Sequence, residues 1–316
     1  MSLKKDKSIT NKVFVIVVCA LLAVYTISMI YPLVWGLLTS LKSNFDFSLF
    51  GNVAGFPNLN KDDVATSWNE FFKLKNYVNV FKIATVRGIA NYYSGDKLIN
   101  RITETNLLGL IINTLLYAGA GALLQSIVPA IVAYAVAKFD FKYGKVLFAV
   151  ALFAMIMPVV GAYPSEITLL RRIGVFDTFW GYFMQKCNFM GMYFFVYHAF
   201  FKSLSDAYTE AAEIDGASHF RCLVSIILPL SIKIISTVFL IQFVHFWNDY
   251  QTPLLYMPTK PTLAYGVWFW AWNNQTLKTT PERVSASMML AIPILIVYIF
   301  LKDKLMGNIT MGGIKQ

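Results

Sequence analysis

Residues 205–218 read Ser205-Asp206-Ala207-Tyr208-Thr209-Glu210-Ala211-Ala212-Glu213-Ile214-Asp215-Gly216-Ala217-Ser218 and lead into the apolar run Ile226-Ile227-Leu228-Pro229-Leu230. Ser205 or Asp206 is placed to cap a helix, alanine and glutamate favour its body, and Gly216 can supply the left-handed residue that ends it. The stretch therefore predicts a short helix, a sharp turn and a second helix. Ala211 and Ala212 carry no bulk, so another surface can approach the backbone closely. Glu210, Glu213 and Asp215 gather negative charge on a chain whose formal net charge is +10. Such a knob suits a groove on a soluble partner. A connector that is merely solvated is the alternative reading of the same residues.

Outward from this loop the chain is written for lipid. Of 316 residues, 57% are hydrophobic and only 14% charged, far from a soluble average. A span needs roughly 20 apolar residues to cross a hydrocarbon core about 30 Å thick. Val13 to Leu41, Thr105 to Ala137, Val146 to Ser165 and Val284 to Leu301 carry no charge. A further span from Thr178 to Phe201 contains Lys186, and one after Pro229 contains Lys233 or is cut short by Asp249; lysine can snorkel near a helix end or face a watery cavity. The expected fold class is all-α integral membrane with six transmembrane helices.

Lysine and arginine set the orientation. Lys4, Lys5, Lys7 and Lys12, then Lys138, Lys142 and Lys145, then Lys202 and Arg221, and finally Lys302, Lys304 and Lys315 place both termini in the cytoplasm of a plasma-membrane protein. Arg171 and Arg172 fall on the opposite side, where Glu166 and Asp177 offset them. The start reads as an uncleaved anchor, its apolar run being too long for a secretory signal. The expected organisation is a cytoplasmic tail over 1–12, a transmembrane domain over 13–302 and a second cytoplasmic tail over 303–316. Within the domain, 42–104 forms an outer insertion and 203–228 a cytoplasmic loop. The insertion predicts a short helix around Trp68 to Phe81, with turns at Gly55-Phe56-Pro57 and Ser94-Gly95-Asp96.

Three histidines and the cysteines Cys19, Cys187 and Cys222 offer no C-x-x-C spacing and no metal-ligand pattern, so neither disulfides nor zinc are expected. Basic residues flank apolar stretches instead of forming one patch, which speaks for lipid headgroups over nucleic acid. No G-x-x-x-x-G-K-[ST] loop is present to hold a nucleotide.

Glu210-Ala211-Ala212-Glu213-Ile214-Asp215-Gly216-Ala217, with Ile226-Ile227-Leu228-Pro229-Leu230 after it, resembles the EAA signature of binding-protein-dependent ABC importer permeases. Further stretches resemble the carbohydrate-uptake, maltose-type branch: Tyr31-Pro32-Leu33, Thr39-Ser40-Leu41-Lys42, Asn76-Tyr77, Asn113-Thr114 and Ala133-Tyr134-Ala135. Met157-Pro158, Trp247-Asn248-Asp249 and Gly312-Gly313-Ile314-Lys315 extend the likeness over nearly the whole chain. Ser205 and Lys233 depart from the family, which has prolines there, and Ala84 to Thr103 looks like an extra insertion.

The resemblance implies the type I ABC importer permease fold, with Glu210, Ala211, Ala212, Glu213, Asp215, Gly216, Ala217 and Phe220 forming a coupling helix that docks on an ATPase. It implies a second permease subunit of a different chain, two ATP-binding subunits, an extracellular solute-binding protein and surrounding membrane lipids. ATP and magnesium would sit on the partner ATPase, leaving this chain without cofactor or catalytic residues. An oligosaccharide or related carbohydrate is the expected solute. A non-sugar importer is the alternative, with an intramembrane enzyme or a stand-alone carrier behind it.

Candidates along the solute path are Asn113, Lys186 and Asn248, with Gln125, Glu166, His198, Gln242 and His245 as further polar groups in or beside the spans. Each serves equally well as an interhelical hydrogen-bond partner. Lys186 could attract an anionic or uronic-acid solute. Trp268, Trp270 and Trp272 in the last outer loop could face sugar rings or belt the membrane interface.

Overall fold

The computed structural model describes residues 9–49, 51, 53–57, 74–94, 97–139, 142–157, 161–273 and 276–309. Lys4, Lys5, Lys7, Trp68, Gly95, Asp96, Pro158 and the tail from Gly312 lie outside the described residues. Two compact units divide the chain, one of residues 1–83 with 273–289 and one of 84–272 with 290–316.

In the first unit, helix α1 (Ile9–Ser40) carries Pro32 and is followed by a π-helical turn at Phe45–Leu49 and by α2 (Lys75–Ile83). Two short motifs from the sequence meet here. The Asn76 amide donates to the carbonyls of Ser40 and Lys42, each at 2.8 Å, and the Ser40 and Tyr77 hydroxyls share a bond of 2.7 Å. Ser285, in the first turns of α12 (Thr280–Ile309), donates to the Ser40 carbonyl at 3.1 Å. Carbonyls at the end of α1 that have no intrahelical partner are thus satisfied by side chains.

The second unit opens with β1 (Thr85–Ser94) and β2 (Lys97–Asn106), paired antiparallel from Thr85 opposite Asn106 to Ser94 opposite Lys97. This corrects the all-α expectation. Val86, Gly88, Ala90 and Tyr92 face inward while Arg87, Ile89, Asn91 and Tyr93 face out, the period-two alternation of a half-buried strand. Gly88 is needed for close approach, since a Cβ there would lie 2.1 Å from the Pro258 carbonyl oxygen. Asp177 (φ 61) is buried beside this loop and accepts bonds from the Thr259 amide (3.0 Å) and hydroxyl (2.6 Å), with Arg101 3.7 Å away. Its carboxylate therefore pairs with Arg101, while the Arg171 guanidinium lies 4.7 Å from the Phe176 ring centre.

Helix α3 (Leu107–Lys138) is the hub. Its N-cap Asn106 accepts from the Gly109 amide, and Leu107, Leu110, Thr114, Tyr117, Gly121, Ala130, Ala133 and Tyr134 are buried at helical spacing along one side. Short helices follow: α4 (Gly144–Ile156), α5 (Ala162–Arg172), α6 (Phe179–Lys186), α7 (Met192–Ser203) and α8 (Ala207–Ile214). Then comes the long α9 (His219–Asn248), followed by α10 (Gln251–Tyr256) and α11 (Leu263–Trp272). The expected fifth span thus begins at His219, before Pro229. A π-helical stretch at Leu223–Ile227, where the Leu228 amide reaches back to the Leu223 carbonyl, precedes the proline ring in the helix.

Among the described residues, four helices are long and apolar enough to cross a membrane: Lys12–Ser40, Leu107–Lys138, His219–Asn248 and Thr280–Phe300. The other two expected spans are interrupted. Gly144–Ile156 has 13 residues, and the Thr178 to Phe201 stretch breaks between Lys186 and Met192; a 13-residue helix rises only about 20 Å.

Close packing on α3 depends on Gly121. A Cβ there would lie 1.9 Å from the Tyr182 hydroxyl oxygen, which itself donates to the Tyr117 carbonyl at 2.9 Å. Gly121→Ala is expected to cost about 1–3 kcal/mol as an overpacked site, read as a lower thermal midpoint of the purified protein. Adding Tyr182→Phe, which removes the obstructing oxygen, should recover part of that loss.

Candidate functional site

Helix α8 and the turn after it form an elbow whose geometry follows from its C-terminal cap; at its start Asp206 makes no capping bond, its carboxylate being taken by Lys138. The Gly216 amide donates to the Glu213 carbonyl (3.0 Å) and the Ala217 amide to the Ala212 carbonyl (2.9 Å), with Gly216 at φ 76. These are the paired bonds of a Schellman C-cap closed by a left-handed glycine. Ser218 then caps the next helix by accepting from the Arg221 amide at 3.3 Å. The short helix, sharp turn and second helix predicted from the sequence are present in that order.

The elbow is tied to the bundle at two points. Lys138, at the end of α3, donates to the Leu204 carbonyl (2.6 Å) and to Asp206 Oδ1 (2.7 Å). Its side chain is 6% exposed whereas that of Asp206 is 72% exposed, so the buried ammonium is compensated from the loop. Ala212 is 4% exposed and packs in a core cluster with Tyr134, Phe201 and Cys222. The two alanines therefore have different roles. Ala212 faces inward, where small size lets the helix settle on the bundle, and only Ala211 is on the surface.

Glu210, Glu213, Asp215 and Gly216 are exposed, and Glu213 reaches His219 at 3.4 Å. Among the described residues neither Glu210 nor Asp215 forms an ion pair. Phe220 is 75% exposed, and Ile214, six residues earlier, is 87% exposed. Ile214 and Tyr208, 47% exposed, were not among the expected contacts; an apolar residue at the end of an otherwise acidic helix was the available signal.

The candidates for a solute path are dispersed. Asn113 donates to the Pro261 carbonyl (3.0 Å) and Asn248 to the Val244 carbonyl (2.9 Å), so the first amide braces the segment before α11 and the second stays on its own helix. Trp270 is 1% exposed with its indole nitrogen on the Thr85 carbonyl at 2.9 Å, which makes it an anchor for the hairpin and leaves no ring face for a solute. Trp268 stacks on Tyr250 at 5.8 Å, and Trp272 is 80% exposed.

Lys186 lies in a polar and aromatic cluster. Its ammonium is 5.0 Å from the Phe246 ring centre and 5.5 Å from that of Tyr182, while Gln125 donates to its carbonyl and accepts from Gln242. Nearby carboxylates are engaged elsewhere. Asp249 accepts from the Tyr117 hydroxyl (2.6 Å) and the Thr252 amide (3.0 Å); Glu166 accepts from Gln185 (2.8 Å) and from the Tyr256 hydroxyl. Burial, and then the Glu166 carboxylate, push the Tyr256 hydroxyl above the ordinary phenol range. Among the described residues Lys186 forms no ion pair; two ring faces lie against its ammonium, and the Asp249 and Glu166 carboxylates act on it from further off.

Several long apolar helices and a capped, acidic elbow between two of the helical segments are the features of a polytopic membrane protein. The chain belongs to the family of binding-protein-dependent transport system inner membrane components, whose model matches residues 125–309. It is therefore a permease component of an ABC transporter, a transport subunit and not an enzyme. It is 25% identical to the melibiose/raffinose/stachyose import permease protein of Bacillus subtilis (strain 168), over 65% of this chain and 75% of that one. It is 28% identical to the maltodextrin transport system permease protein of the same organism (67% and 77%), and 23% identical to the diacetylchitobiose uptake system permease protein of Streptomyces coelicolor (93% and 86%). A chain in the crystal structure of a bacterial ABC transporter involved in the import of the acidic polysaccharide alginate superposes with a TM-score of 0.69. That match covers 94% of this chain and 98% of the other at 22% identity, a likeness of fold.

The unequal placement of the two alanines gives a direct test. Ala212→Leu should cost about 1–3 kcal/mol by overpacking the core and lower the thermal midpoint of the purified protein. Ala211→Leu should leave that midpoint unchanged.

Proposed function

We propose that this permease is one of a pair, with a different chain as its partner, in an importer that takes an oligosaccharide from an extracellular binding protein. Two ATP-binding subunits drive it, each holding a coupling helix, and α8 with the turn to Phe220 is the coupling helix of this chain. Six spans complete the bundle: the four long helices, one built on α4, and one built on α6 with α7. Both termini lie in the cytoplasm.

The observation that carries this reading is the elbow itself. Its inner side is fixed by Ala212 and Lys138, and its outer side exposes Ile214 and Phe220 together with Glu210 and Asp215, which form no ion pair among the described residues. Apolar anchors with flanking charge suit a groove on a soluble protein. Closure of the ATPase pair on ATP would move the elbow, and a rigid attachment to α3 and α9 would turn that motion into rocking of the bundle between outward- and inward-facing states. The carbohydrate substrates of the three relatives support the solute class. Lys186, Asn248, Trp268 and Trp272 remain the residues proposed for the path. Asn113 and Trp270 serve it indirectly, by holding its outer loop and hairpin.

Gly216 is the sensitive point. Nothing lies within 4 Å of a Cβ built there, so the backbone conformation alone opposes substitution. The left-handed conformation costs an ordinary L residue roughly 1–2 kcal/mol and a β-branched one more. Gly216→Val should abolish uptake by the assembled transporter while membrane insertion survives, and Gly216→Asn should retain much of it. Normal uptake by the valine variant would remove the elbow from the mechanism.

A further inference from the structure

A second site lies at the end of the bundle where the lysines gather. The cleft between the C-terminus of α3, the N-terminus of α4 and the C-terminus of α7 holds a cavity of about 440 Å³ lined by Val136, Ala137, Lys138, Phe139, Gly144, Lys145, Phe148, His198 and Lys202. Three lysines and a histidine thus border one cavity, and among the described residues no carboxylate lines it. Lys138 is already bonded to Leu204 and Asp206. Among the described residues, Lys145 and Lys202 form no ion pair, and both are exposed.

The apolar half of the lining has a direction. Phe148 packs 5.3 Å from Phe195 and 4.9 Å from the His198 ring, which closes the cavity floor. On α4, Lys145, Phe148, Leu152 and Ile156 fall on one stripe at helical spacing. Leu152 is 43% and Ile156 72% exposed, so an exposed apolar track runs along α4 away from the lysines. A cationic pocket opening onto such a track fits an amphiphile, with charge at one end and hydrocarbon at the other. Free phosphate would match only the first half.

We propose that this cavity binds the phosphate of an anionic phospholipid, held between Lys145 and Lys202 with His198 beside it, and that an acyl chain follows Leu152 and Ile156. The site adjoins the Lys138 clasp, so an occupied headgroup also shields the root of the elbow. The inference is independent of which solute is carried.

The test is native mass spectrometry of the full-length protein titrated separately with phosphatidylglycerol, phosphatidylcholine and inorganic phosphate. Retention of phosphatidylglycerol in preference to phosphatidylcholine is expected. At about 1 kcal/mol for each basic residue near a lipid surface, Lys145→Gln or Lys202→Gln should weaken it about five-fold and the pair about thirty-fold. Lys142→Gln, which changes a lysine of the same turn outside the cavity, serves as the comparison and should have a smaller effect than either. Equal retention of the two lipids would overturn the proposal. So would an equal effect at Lys142, which would mean diffuse surface charge. Displacement of lipid by inorganic phosphate at comparable concentration would assign the pocket to free phosphate and overturn the lipid assignment. Circular dichroism of the double variant, expected to match the parent, separates lost binding from lost folding.

Discussion

A loop proposed to transmit force needs a stiff root, and three interactions fix the stretch between Leu204 and Ser218. The Schellman cap at Gly216 closes α8, Ala212 seats it in the core and Lys138 fastens its start to α3. The interactions are of different physical kinds: backbone conformation, close packing and a charge-assisted hydrogen bond. Losing any one would loosen the elbow without changing its exposed face. The same helix is therefore exposed on its outer face and packed on its inner one.

The rest of the bundle answers to lipid, where an unpaired polar group is costly. Helix α3 meets this by collecting partners along its 32 residues. Thr114 receives the Leu263 amide at 2.7 Å, Tyr117 binds Asp249, and Gln125 links α9 to Lys186. Small residues at Gly121 and Ala122 let aromatic neighbours approach the helix axis, with Tyr117 stacked on Tyr182 at 4.3 Å. Asn113, Gln125, Glu166, Gln242 and Asn248, which looked like solute contacts in the sequence, thus spend hydrogen bonds within the protein, and Lys186 stands out because ring faces lie against its ammonium.

The legible parts of the sequence were those with local causes. Caps, alanines and a glycine give the elbow within one stretch of chain, and uninterrupted apolar runs give the long helices. The hairpin was not legible, because two of its inward residues are Gly88 and Ala90, which weaken the alternation, while Ile89 and Tyr93 point outward. Its turn signal at Ser94-Gly95-Asp96 was visible, but the strands beside it were not. Roles set by distant partners were equally hidden. Nothing near Trp270 in the chain announces Thr85, and nothing separates Ala211 from Ala212 until the helix is laid against Tyr134 and Phe201. The pairing of Asn76-Tyr77 with Ser40-Leu41-Lys42 shows the intermediate case: the motifs could be noted, and only the fold explains that one satisfies the end of the helix carrying the other.

The claim that most needs direct evidence is that the outer face of the elbow is held by a separate motor protein. A photo-crosslinking amino acid placed at Ile214, the most exposed apolar residue of the elbow, would report its neighbour in the intact transporter within native membranes. The account predicts a crosslink to the ATP-binding subunit whose yield changes when ATP is added. Crosslinks to lipid alone, or none to the ATP-binding subunit in either nucleotide state, would contradict it.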